Sequence, residues 1–534
     1  MLFDFKHPTL RDFMTNHATP CGCACCGPSR RVFLAAGCAA CASGLLSVGN
    51  IAFGAQTSEK MRVRVFFILI DEVMPAAGWP NIGYDYRPGM EDIKNGLTNG
   101  CPDIEFAYSM AQQPAKVQEI MDADADNVDG YIVVQMMCKG SNAINTVVKS
   151  GKPVLFTDFL YCGSAPFLGH TAHHLRAGTP NFAFMSSNRT SDLVEAARCF
   201  TLAGKEGNLK AFVDGVTKVR HKQAPATIDF SCAEDKLDLL SPSEVREALK
   251  GMKILVYNNA PMTDERLKQT LGIEIVSLPF EELNDEWGKA DKDQAQEIVK
   301  KWKSTAASII DISDETLEKS ARMYLAQKSC LKRHEATAFT MNCLGGFYGG
   351  HVQAYPCLGY HELQNEGRFG ACECDIRSIV TMLITTTMTK GRPGFISDPV
   401  IDTAARQIIY AHCVASNKPF GPAGPTNPFT ILTHSEDRQG ASVRSTLPPG
   451  YMTTTLEMAH AKKEILFHQA KAVGNSADDR ACRTKLVATP IGDMDKLLTE
   501  WDRWGWHRVT FYGDLKEAVF ALADAFEWKV VEEA

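Results

Sequence analysis

The chain has 534 residues, too many for one hydrophobic core and enough for about three domains. Hydrophobic residues make up 45% and charged residues 22%, ordinary globular usage. A net charge of −7 with no basic stripe argues against nucleic acid as a partner. Six of the 18 cysteines fall between Cys21 and Cys41, and the other 12 are spread from Cys101 to Cys482. A chain this long is not short of core. The scattered cysteines therefore read as small buried hydrophobes rather than as a disulfide framework.

The first 55 residues read as an address. Ser29-Arg30-Arg31-Val32-Phe33-Leu34 is a twin-arginine sequence, followed by an uncharged stretch rich in Ala, Gly and Leu up to Phe53. Small residues at Ala52 and Gly54 suit cleavage near residue 55. This predicts export by the twin-arginine translocation machinery and a periplasmic or secreted protein. A retained membrane anchor, or a lipid on Cys38, is the alternative reading of the same segment.

The mature chain opens with a strand at 61–69, alternating and then continuously apolar. A helix is expected at 88–98, a strand at 103–106, a helix at 113–121, a strand at 130–134, a helix at 143–149 and a strand at 153–156. Strand–helix alternation with short turns means a parallel sheet covered by helices. The alternation restarts at Asn181, with a helix at 192–204, strands at 253–257 and 274–278 and a helical stretch at 291–303. Ser313 caps a further helix expected to run to about Gln327, with Asp314 and Glu315 in its first turn. From Tyr355 onward Gly, Pro, Thr and short apolar runs dominate. The expected fold is two doubly wound parallel α/β domains followed by a C-terminal α+β domain with a small antiparallel sheet or barrel. The corresponding divisions are a signal segment at 1–55, α/β domains at 56–177 and 178–354, and the last domain at 355–534.

The densest chemistry lies in that last third. Ala371-Cys372-Glu373-Cys374-Asp375 precedes an apolar stretch of helical length at 376–388. Gly391-Arg392-Pro393 and Phe395-Ile396-Ser397-Asp398 follow, then Ile408-Ile409-Tyr410-Ala411-His412-Cys413. Near the end stands Trp504-Gly505-Trp506-His507, with Gly513-Asp514 shortly after. Taken singly, these residues have ordinary readings. Glu373 suits a surface turn, Asp398 before Pro399 suits turn initiation, and His507 among aromatics suits a satisfied core histidine.

Taken in order, they resemble the C-terminal half of the L-fucose/L-arabinose isomerase-like family, over roughly residues 356–522. The family has a Cys-Glu-Gly-Asp type sequence before an apolar helix, then Thr-Gly-Arg-Pro, a strand ending in Asp, an Ala-His-Cys strand and a late His followed by Gly-Asp. The resemblance implies a divalent metal, Mn²⁺ being the expected ion, held by Glu373, Asp398 and His507, and a trimer or hexamer. It also implies aldose–ketose isomerisation of an open-chain sugar through an enediol, with Glu373 and Asp398 as the catalytic carboxylates. Mixed oxygen and nitrogen donors suit such an ion, and carboxylates can carry a proton between adjacent carbons. The 25-residue separation of Glu373 and Asp398 suits a helix and a returning strand that bring both to one end of a sheet. His412 is expected to line the site.

Two features depart from the family. Cys374 stands where the family has Gly, and a positive φ there would strain it. Export is unusual for a catabolic sugar isomerase. Epimerisation or β-elimination on an oxidised sugar by the same chemistry, or carbohydrate binding without catalysis, are the competing readings. His170, His173 and His174 are read as a loop with solvated histidines. Glu366-Gly367 is read as turn chemistry. Specificity is expected from loops such as 418–426.

Overall fold

The computed structural model describes residues 60–138, 142–223 and 227–534. The address segment at 1–55 and the cysteines between Cys21 and Cys41 lie outside the described residues.

Strands β1 (Met61–Ile68), β2 (Ile104–Met110), β3 (Gly130–Gln135), β4 (Val154–Asp158) and β5 (Phe182–Ser186) form a parallel sheet in the order β2-β1-β3-β4-β5. The order reverses at β1, the doubly wound arrangement. β1 and β3 are central and almost wholly buried, which matches their apolar runs at 65–68 and 131–134. Arg64, facing inward from β1, is held by Asp124 (Nε–Oδ2 2.8 Å), so its charge is paired rather than stranded. The strand at Phe182–Ser186, where the sequence pattern suggested a restart, pairs with β4 and closes this first sheet. Only after it does the chain leave the sheet, because β-pairing is decided by edge availability and not by loop length.

The second parallel sheet uses β6 (Lys253–Tyr257), β7 (Glu274–Leu278), β9 (Ala338–Met341) and β10 (Phe369–Cys372) in the order β10-β9-β6-β7. Between them β8 (Ser308–Ile309) leaves the sheet to pair with a distant hairpin. Asp291 and Ser313 cap helices Lys292–Thr305 and Asp314–Arg333, accepting from the backbone N–H groups of Gln294 and Thr316, each three residues beyond its cap. The second helix runs past Gln327 because its buried stripe continues through Cys330 and Leu331.

The last third contains β11 (Phe395–Asp402), β12 (Gln407–His412), β13 (Phe429–Leu432), β14 (Ser442–Ser445), β15 (Met452–Ala459), β16 (Glu464–Asn475), β17 (Thr484–Ile491), β18 (Arg508–Tyr512) and β19 (Lys529–Glu532). Six of these close an antiparallel barrel in the cyclic order β15-β18-β11-β12-β17-β16, with β16 pairing back to β15. β19 adds to β16 in parallel, and β13 and β14 form the hairpin that receives β8. Closure removes the exposed edges that six antiparallel strands would otherwise present. Inside the barrel Tyr410, His468, Glu533 and Arg508 form a buried chain of hydrogen bonds. All 12 cysteines of the described residues are free and none is exposed, as their small apolar character suggests. No helix among the described residues is long and apolar enough to cross a membrane.

Candidate metal centre

Glu373 directly follows β10, at the carboxyl end of the second sheet. Cys374 comes next with φ +62°, the left-handed conformation that the family's glycine would adopt freely. Its backbone N–H donates to Thr340 Oγ1 (3.0 Å), and its thiol points at the Tyr257 carbonyl (3.5 Å). These contacts hold the turn in spite of the side chain. Asp375 then caps helix Ile376–Met388, accepting from the backbone N–H groups of Arg377 and Ser378. The helix is buried along most of its length.

Asp398 lies in β11 and His507 immediately precedes β18. The pairing Ser397↔Arg508 brings Asp398 opposite His507. The helix does not return the chain to the sheet that carries Glu373, as the spacing had suggested. It crosses to the barrel, so Glu373 and Asp398 belong to two different sheets whose ends meet. His412 ends β12, one residue beyond the Asp398↔Ala411 pair.

The side chains converge. His507 Nε2 lies 3.2 Å from Asp398 Oδ1 and 3.6 Å from Glu373 Oε1. His507 Nδ1 lies 2.9 Å from Asp375 Oδ2, so that carboxylate fixes the ring and leaves Nε2 facing the other two acids. Trp506 Nε1 donates to Asp398 Oδ1 (2.7 Å). His412 Nε2 is 4.0 Å from Asp398 Oδ2, and its ring meets that of His507 edge to face at 5.5 Å. One ligand atom each from Glu373, His412 and His507 lies within 4.8 Å of the others, a group able to hold a metal ion.

Electrostatics set the charges. Burial pushes the Glu373 carboxyl up to about 7. Nearby His507 opposes this, and Asp398 and Glu436 reinforce it. Burial also disfavours charge on Asp375 and Asp398, but hydrogen bonds from His507 outweigh it and hold both below the ordinary carboxylate value. For His507 the same two carboxylates overcome burial and push the imidazole well above its usual value. Burial lowers His412 to about 4 despite Asp398, so it is neutral at pH 7 and offers a lone pair. His412 Nδ1 has no hydrogen-bond partner among the described residues. Without a metal, the positive charge that this cluster of acids requires is supplied by a proton on His507. Glu373, His412 and His507 would hold a divalent cation, whose charge would fill that role, and carboxylate and imidazole donors suit one.

Thus the structure brings Glu373, Asp398 and His507 together. It adds His412 as a donor and Asp375 as the group that orients His507. Asp375 carried a legible signal, an acid just before an apolar helix, but that signal speaks of capping and not of a partner in a distant loop. The other singled-out residues sit elsewhere. His170, His173 and His174 are on helix Ser164–Ala177 rather than in a loop. His174 is buried, between Asn145 Oδ1 (3.0 Å) and Thr179 Oγ1 (3.1 Å). His361 and Glu362 lie on helix Cys357–Asn365, held by the Ala415 carbonyl and by Lys301 and Trp302. Glu366 ends that helix and Gly367 has φ +72°, the expected turn. Pro422, in the loop at 418–426, packs over Gly367 and Gly391.

No family model matches the sequence. Over 298 residues the chain is 23% identical to a sulfoquinovose isomerase of Clostridium sp. (strain MSTE9), an alignment covering 53% of this chain and 65% of the relative. The chain therefore spans less than two thirds of the length of the curated relative it matches.

Proposed function

We propose that this protein is a metal-dependent aldose–ketose isomerase acting on an open-chain sugar, with Glu373, Asp398, His412 and His507 as the metal-binding set. The observation that carries this reading is the grouping of ligand atoms of Glu373, His412 and His507 within 4.8 Å of one another, with Asp398 beside both imidazoles. The similarity to a sulfoquinovose isomerase supports it, and makes sulfoquinovose the first aldose to assay. A divalent cation, Mn²⁺ being the first choice for these donors, would supply Lewis-acid polarisation of the sugar carbonyl and hold adjacent substrate oxygens.

The protein's own groups do the rest. Glu373 is the most exposed acid of the set, with 29% of its side chain accessible, so it faces incoming substrate. As a carboxylate on the open side of the site it is placed to pass a proton to and from the sugar. Asp398 stays ionised and works as its partner, taking the proton from one carbon while the neighbouring carbon is reprotonated. Asp375 holds His507 in one tautomer, with Nδ1 donating. Trp506 fixes the Asp398 carboxylate. We further propose export through the twin-arginine machinery to the periplasm, supported by Arg30-Arg31 and the apolar run after them, and assembly into a homo-oligomer.

The test is elemental analysis of the purified chain, wild type and His507→Ala, followed by product analysis on sulfoquinovose and simple aldoses with Glu373→Gln as control. About one divalent ion per chain, lost in His507→Ala, and ketose formation abolished in Glu373→Gln support the proposal. Absence of metal after incubation with excess Mn²⁺ overturns it.

A further inference from the structure

A second cluster lies directly behind the metal centre and is unused by it. Cys413 follows His412 at the end of β12, and its Sγ is 3.5 Å from Sγ of Cys482, just before β17. The same Cys413 sulfur is 3.2 Å from His434 Nε2. On its other side His434 Nδ1 is 3.1 Å from Asp437 Oδ1, and Asp437 in turn accepts a hydrogen bond from the Tyr355 hydroxyl. Cys413, Cys482 and His434 are all buried.

We propose that Cys413 and Cys482 are a reversible dithiol–disulfide pair. Two features favour this over other uses of the cluster. The sulfurs come from adjacent barrel strands whose register brings His412 opposite Thr484, so the two chain segments are already side by side. Forming the bond needs the sulfurs to close from 3.5 Å to about 2.05 Å, within reach of side-chain rotation. Metal binding is disfavoured, since among the described residues only Glu373, His412 and His507 form a set of three with ligand atoms within 4.8 Å.

With hydrogen peroxide as oxidant the step balances. The Cys413 sulfur attacks one peroxide oxygen, and its proton leaves with the other oxygen as water. The Cys482 sulfur then displaces the hydroxyl of the resulting sulfenic acid, and its own proton leaves with that hydroxyl as a second water. Two thiols lose two electrons and two protons, and one peroxide becomes two waters. The bond closes a loop across 69 positions of sequence and ties the strand end that carries His412 to the segment before β17. Its formation therefore raises the thermal midpoint.

The test treats the native full chain with hydrogen peroxide, alkylates all remaining thiols after denaturation and maps the peptides without reduction. A Cys413–Cys482 cross-linked peptide, removed by a dithiol reductant and accompanied by a thermal midpoint higher by several degrees, supports the proposal. The cross-link must be missing from Cys413→Ser and from Cys482→Ser. If either variant fails to fold, the wild-type map decides alone. Both thiols still alkylated under conditions that modify other cysteines, sulfinic acid at Cys413 without a cross-link, or pairing with a different cysteine each overturns it. So does a metal ion that is lost in Cys482→Ser but retained in His507→Ala.

Discussion

The carboxylate of Asp375 serves two structures at once: Oδ1 caps helix Ile376–Met388, and Oδ2 lies 2.9 Å from Nδ1 of His507. The start of a helix beside the second sheet and a loop at the rim of the barrel are thereby fixed to each other. Asp375→Asn keeps a capping oxygen but removes the charge that orients the imidazole. The expected result is a metal affinity weaker by about 10–100-fold with a nearly unchanged melting temperature. Metal titration alongside thermal unfolding checks it, and a collapse of stability with unchanged affinity would assign Asp375 to capping alone.

Metal uptake should release protons. Glu373 is pushed up to about 7 and His507 stands well above its ordinary value, so both carry protons in the metal-free protein at pH 6 to 7. A cation must displace them. Apparent affinity therefore rises with pH and does not level off at pH 7, because the His507 proton is held more tightly than the Glu373 one. Calorimetric titration in buffers of different ionisation enthalpy counts the protons released, and a pH-independent affinity would contradict the site as described.

Glu533 is buried in the barrel between Arg508 (Oε2–Nη2 3.0 Å) and His468 (Oε1–Nδ1 2.8 Å). Burial alone would raise its carboxyl, but these partners bring it down to about 2. A depressed carboxyl contributes stability that is present above its unfolded value and lost as pH falls through about 2. Arg508 also donates to the carbonyls of Trp501, Gly505 and His507, so the pair supports the loop that carries His507. Glu533→Gln strands the guanidinium and is expected to cost about 3–5 kcal/mol at pH 7, read by denaturant unfolding.

Cys374→Gly replaces a side chain held at φ +62°. Relief of the left-handed strain is worth about 1 kcal/mol, set against the lost thiol contact to the Tyr257 carbonyl and the freer unfolded chain. A small net rise in stability with unchanged metal content is expected. Marked destabilisation would show that the thiol contact outweighs the strain.

His174 is pushed down to about 4, by burial first and then by the neighbouring histidines. A depressed imidazole contributes stability that is complete above its unfolded value near 6.5 and lost as pH falls toward 4. The wild type should weaken across that window, and His174→Gln should lose that part of the slope. Denaturant midpoints at several pH values separate the two.

The sequence by itself determined the local choices. Continuous apolar runs made β1 and β3 central strands, Ser313 and Asp291 started helices, and the apolar stretch at 376–388 became a helix of those bounds. Glu373, Asp398 and His507 were legible because they stand in a recognisable order of short segments. The left-handed turn at Cys374 was legible because a glycine was expected there.

Only the tertiary structure decided what those segments meet. Whether Phe182–Ser186 ends one sheet or begins another depends on the free edge of β4, which no local pattern encodes. The joining of β10 to the barrel through one helix, the alignment of His507 with Asp398 by the β11–β18 register, and the inclusion of Asp375 and His412 in the site are all long-range. Side-chain periodicity fixes which face a residue takes, but the partner across that face is set by closure of the barrel against the second sheet.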